Sequence, residues 1–103
     1  MLFFKKMKEA IEKIVEFLKK KRVIEAYIFG SVARGTAGKK SDIDLIVVME
    51  TNKPFFERYD DFMELILDLP FALDLLIYTP EEWKEVKERL FFKHILKEAR
   101  RIA

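Results

Sequence analysis

The sequence predicts a small α/β (α+β) domain, with a mixed sheet of about three or four strands flanked by helices. Three observations carry this. Apolar runs at residues 23–29, 43–49 and 72–78 read as strands. Helical spacing of apolar residues at 2–21, 55–69 and 80–102 alternates with them. The 103 residues are 50% hydrophobic and 37% charged, with no low-complexity tract or internal repeat, so residues 1–103 suffice for one domain around one core.

The first helix interleaves Lys5, Lys6, Lys8 and Lys13 with Glu9, Glu12 and Glu16, as a solvated face does. The strand that follows ends in Ile28 and Phe29 and meets Gly30, where the backbone can turn sharply and approach a ligand with no Cβ in the way. Ser31 begins a short helix, whose free N–H groups and positive dipole end, with the Ser hydroxyl, suit phosphate oxygens.

After a loop, Asp42 and Asp44 open the second strand. Alternate residues share a face, so both carboxylates project together about 7 Å apart along the chain. In 55–69, Phe55, Tyr59, Phe62, Leu65, Ile66 and Leu69 make an apolar helix face, leaving Asp60, Asp61, Glu64 and Asp68 on the wet side. The third strand is nearly all apolar except for Asp74, and a lone carboxylate there is costly unless it pairs with a cation or binds a metal. Thr79-Pro80-Glu81-Glu82 is a helix start, with Thr as cap, Pro in the first turn and Glu three residues on. It opens the helical stretch 80–102, in which a break would fall near Leu90.

Gly-Ser beside two carboxylates points to metal-dependent chemistry on a nucleoside triphosphate, since converging hard oxygen ligands suit Mg²⁺. The bland alternative is a glycine turn before a strand whose acidic start marks the surface. Bringing the site together requires the end of the first strand to lie beside the starts of the second and third. The first two strands then run antiparallel, and the second and third run parallel through a crossover by the helix at 55–69.

The stretch from Gly30 to Leu45, Gly-Ser-x-Ala-Arg-Gly followed by Ser-Asp-x-Asp-Leu, resembles the minimal nucleotidyltransferases of the DNA polymerase β superfamily. The resemblance implies the nucleotidyltransferase fold and a third carboxylate from a later strand, for which Asp74 is the candidate. It implies that Asp42, Asp44 and Asp74 are catalytic and hold Mg²⁺, two ions in all, and that ATP is the substrate. Gly30 and Ser31 would bind the nucleotide, with Arg34, Lys39 and Lys40 as weaker candidates for its phosphates. The resemblance covers essentially the whole chain, so the acceptor is expected on a partner. Likeness to the stand-alone type implies the antitoxin of a HEPN toxin pair, transferring AMP to a toxin hydroxyl, a tyrosine being the expected acceptor. The rivals are an antitoxin that binds nucleotide but works by contact alone, and transfer to a small molecule.

Other classes are set aside on composition. Zero Cys and one His leave no disulfide framework and a poor zinc donor set. No apolar run nears the length of a membrane span, and the start lacks a signal peptide's pattern, so a cytoplasmic protein with no membrane partner is expected. A net charge of +2 is too small to argue for direct nucleic-acid binding. Gly30 and Gly35 imitate a P-loop, but Thr36 stands where its lysine would be. Arg89 and His94 match an Arg-x4-His ribonuclease pattern, yet that fold is all-helical, so His94 reads as an ordinary helix residue. Of ten Phe, six occur as adjacent pairs, 3–4, 55–56 and 91–92, and on a helix one of each pair tends to leave the core. Trp83 reads as a core or interface anchor.

Overall fold

The computed structural model describes residues 2–38 and 42–103. Helix α1 (Leu2–Lys20) is followed by β1 (Glu25–Phe29), α2 (Gly30–Arg34), β2 (Ile43–Val48), a 3-10 helix (Phe55–Phe62) running into α3 (Met63–Asp68), β3 (Leu73–Tyr78), α4 (Pro80–Val86), α5 (Leu90–Leu96) and β4 (Arg100–Arg101). The sheet order is β3-β2-β1-β4. As expected, β1 and β2 run antiparallel while β2 and β3 run parallel.

Strand alternation divides the sheet into two faces. One carries Ala26, Ile28, Ile43, Leu45, Val47, Leu75 and Ile77, and α1 buries Met7, Ala10, Ile14 and Leu18 in the same cluster. These α1 positions recur at three- and four-residue spacing, which is why its lysines and glutamates stay in water. Burying each of the larger side chains contributes about 1.5–3 kcal/mol. Opposite, Ile46 and Val48 pack with Trp83 of α4 and Phe92 of α5, edged by Tyr27, Phe29, Leu76 and Tyr78. Trp83 is therefore a core anchor. This second face is apolar at the Val48 end and acidic at the Asp44 end.

Two expectations need correction. Residues 55–62 wind as a 3-10 helix, and only Met63–Asp68 is α-helical. Runs of 3-10 helix this long are uncommon. The segment is held by side chains reaching the outer edge of β3: Arg58 donates to the Ile77 carbonyl at 2.9 Å, and the Tyr59 hydroxyl donates to the Leu75 carbonyl. Both bonds occupy carbonyls that an exposed edge strand would otherwise offer to another chain. The second correction concerns 80–102. It breaks at 87–89, near the expected place, but its end is not helical: Arg100 and Arg101 pair with Ile28 and Tyr27 of β1. The Ile102 amide donates to Ala26 and the Ala26 amide to Ala103, so this tail satisfies the backbone edge that β1 would leave open.

The Phe pairs divide as their spacing suggests. Phe4, Phe56 and Phe91 are exposed, Phe3 and Phe55 are half-buried, and Phe92 is buried. Thr79 and Glu82 form a reciprocal capping box, with Pro80 in the first turn of α4. Glu82 also meets Arg58 through two bonds, at 2.6 and 3.0 Å. Arg58 is only 6% exposed, and its Nε also donates to the Lys53 carbonyl at 2.9 Å. It therefore ties the 3-10 helix to the start of α4.

Candidate active site

Gly30 ends the antiparallel pairing of β1 with β2, in which Phe29 stands opposite Asp44. Its φ of +71° lies in the left-handed region that a residue with a Cβ enters only at a cost. A Cβ here would also overlap the end of the Asp44 carboxylate, which would have to shift. The turn thus lies directly against that carboxylate. α2 starts with no side-chain cap and closes at Gly35, whose φ is +76°, while the Thr36 amide donates to the Ser31 carbonyl at 3.0 Å. Ser31 is half-buried at the first turn.

The parallel register sets Asp44 beside Asp74 on adjacent strands. Both point to the face that carries Ile46 and Leu76, at the end that α4 and α5 leave uncovered. Asp44 is half-buried, and Asp42 and Asp74 are exposed. Burial pushes the Asp44 carboxyl up to about 6, helped by a hydrogen bond with Asp74 and by the charges of Asp74 and Asp42, and opposed by Arg34. Like charge this close disfavours the ionised form of Asp44.

Such hard oxygen donors, crowded together with like charge, suit a divalent cation that would relieve the repulsion. Asp42 acts on the pair through its charge. Among the described residues, no three acids stand close enough to hold a metal ion between them as they lie.

Arg34, at the end of α2, is close enough for its charge to act on Asp44, and it pairs with Glu98 at 3.5 Å. Lys39 and Lys40 lie outside the described residues. The sequence reading assigned Tyr59 to an apolar face. Its ring does pack against the core, and its hydroxyl also reaches the edge of β3, where burial and the nearby charge of Asp74 push its pKa up. Glu98 carries no local signal, because it reaches Arg34 only through the fold-back after α5.

A model of the nucleotidyltransferase domain matches residues 11–97. The chain belongs to the nucleotidyltransferase domain family. Transfer of a nucleotidyl group is the activity class that goes with this membership. A nucleotidyltransferase-family relative from Methanocaldococcus jannaschii (strain ATCC 43067 / DSM 2661 / JAL-1 / JCM 10045 / NBRC 100440), named "Putative protein adenylyltransferase MJ1379", is 35% identical over 95 residues, covering 84% of this chain and 93% of its own. Among solved structures, a toxin-antitoxin with AMP-PNP is similar with a TM-score of 0.67 at 20% identity, covering 90% of this chain and 72% of that one. A mutant of the toxin-antitoxin MntA-HpeT is similar with a TM-score of 0.65 at 18% identity and the same coverage. At these identities the likeness is one of fold, and it includes the mixed sheet described above. Among the described residues, no helix of this nucleotidyltransferase is long and apolar enough to cross a membrane.

Proposed function

We propose that this nucleotidyltransferase transfers AMP from ATP to a hydroxyl of a partner protein, a tyrosine of a HEPN toxin, and thereby acts as an antitoxin. The observation that carries the reading is the pairing of Asp44 with Asp74 at the open end of the sheet, against a Gly30 that leaves no Cβ between backbone and carboxylate. The adenylyltransferase name of the relative at 35% identity supports AMP as the transferred group. The toxin-antitoxin neighbours, one of them with AMP-PNP, support the partner and the nucleotide.

In this mechanism Ser31 and the backbone amides at the start of α2 grip the terminal phosphates, and Arg34 neutralises the charge of the phosphates that leave as pyrophosphate. Lys39 and Lys40 are proposed to add to that neutralisation. The acceptor oxygen bonds to the α-phosphorus, the bond from that phosphorus to the bridging oxygen breaks, and pyrophosphate leaves. Asp74, the more exposed of the paired carboxylates, takes the acceptor's proton. Asp42, Asp44 and Asp74 would hold Mg²⁺, which when bound neutralises triphosphate charge and lowers the pKa of the attacking hydroxyl. The proposed use of ATP goes with a cytoplasmic location.

The test is incubation with labelled ATP, Mg²⁺ and the product of the neighbouring gene. Label on that protein, lost when Asp42 and Asp44 are both changed to Ala, is expected. Binding of the two proteins without label transfer would favour neutralisation by contact alone; the exposed Phe4, Phe56 and Phe91 suit a partner surface in either reading. Label surviving the double substitution would overturn the site assignment.

A further inference from the structure

Arg34 and Glu98 form an ion pair whose position has a chemical consequence for the site. Nη1 of Arg34 stands 3.5 Å from Oε2 of Glu98, and the side chains are 48% and 57% exposed. Glu98 is carried there by the chain's return from α5. The amides of Glu98 and Ala99 both donate to the Ile95 carbonyl at 3.1 Å, and Arg100 and Arg101 then pair along β1, whose end leads into Gly30.

An acid is the wrong charge to set beside a seat for polyphosphate. Asp42, Asp44 and Asp74 have a use in the proposed chemistry, but Glu98 has none by that account. A carboxylate does, however, present to a guanidinium the kind of anionic oxygens that a phosphate presents. A pair this long, with both partners in solvent, holds weakly and opens readily.

We infer that Glu98 is an anionic placeholder: it holds Arg34 until nucleotide binds and then yields it to the phosphates. The inference rests on the nucleotidyl-transfer reading and deepens it by naming a residue that sets nucleotide affinity. Glu98 is a positioning residue, acting through Arg34. Its competition is felt equally by bound substrate and transition state, so it changes KM and leaves kcat alone.

The experiment measures binding of ATP and of inorganic tripolyphosphate to the full chain in Mg²⁺, with label transfer followed in parallel. Glu98→Gln is expected to tighten both ligands about two- to five-fold, the size of an exposed ion pair, and to lower the KM for ATP by the same factor at constant kcat. Arg34→Met is expected to weaken both ligands, and Glu98→Gln added to it is expected to change nothing further. Unchanged or weaker binding in Glu98→Gln overturns the placeholder role. So does a gain that persists without Arg34, which would reveal general repulsion of phosphate. A chain that binds neither ligand overturns the nucleotidyl-transfer reading together with this inference, whereas binding and transfer indifferent to Glu98 overturn this inference alone.

Discussion

Gly30→Ala is the most informative single substitution, because two independent features of the structure oppose it. The residue has φ of +71°, and holding an L side chain in the left-handed region costs about 1–2 kcal/mol. For a chain of this size that lowers Tm by roughly 4–16 °C. The new Cβ must also displace the Asp44 carboxylate, which it would otherwise overlap. Asp44 then swings out of its contact with Asp74 and into water, so the causes that hold its carboxyl up to about 6 are all weakened. Its titration midpoint should fall toward the ordinary carboxylate range of about 4. A displacement of about 1 Å at a reacting centre costs on the order of 100-fold in rate, so label transfer should drop by at least that much. The assays are thermal unfolding, carboxyl titration of Asp44 by NMR, and label transfer from ATP. A variant that unfolds at the lower temperature yet keeps the wild-type Asp44 midpoint and activity would refute the steric argument. One with unchanged Tm would refute the backbone argument.

Two further substitutions probe charge. Glu82→Gln leaves the nearly buried Arg58 without its counter-charge and should cost about 2–4 kcal/mol in urea unfolding, less than a fully buried pair because the Glu82 side chain is 42% exposed. The Arg58 guanidinium, with the cap bonds to Thr79, holds the Glu82 carboxyl down to about 2, so its stabilisation is complete above about pH 4.5 and is lost as pH falls toward 2. Loss of the variant's stability deficit at low pH, measured as converging Tm values, is the expected signature. Asp44 has the opposite sign. Its folded value of about 6 lies above the roughly 3.9 of an unfolded chain, so in chelator its contribution falls as pH rises from 4 through 6. Asp44→Asn should therefore be more stable than wild type at pH 8 and less distinguishable from it at pH 4, while losing label transfer. Equal Tm differences at the two pH values would contradict this.

Where local pattern carried the information, the reading of the sequence and the structure agree. The apolar runs of β1, β2 and β3, the stripe of α1, the Thr79–Glu82 cap and the division of each Phe pair all follow from local apolar patterning and from short-range hydrogen bonding. Pattern misled where a segment's winding depends on partners distant in sequence. Residues 55–62 have a helical stripe, but Arg58 and Tyr59 are drawn to carbonyls of Ile77 and Leu75, and the helix tightens to 3-10. The segment after α5 has helical composition, yet the open edge of β1 captures Arg100 and Arg101 as a strand.

By itself the sequence determined which residues could form a site: a glycine turn after a strand, two aspartates on one face of the next, and a lone aspartate inside a third apolar run. All of these depend on the chain's neighbours within a few residues. Tertiary structure alone decided their relations. The β2–β3 register sets Asp44 beside Asp74, thirty residues away, the Gly30 backbone presses on Asp44, and the fold-back after α5 delivers Glu98 to Arg34. The reason is physical. Backbone propensity and side-chain periodicity are local, whereas the raised Asp44 carboxyl, the buried Arg58 charge and the Arg34–Glu98 pair arise from distances that no local pattern encodes.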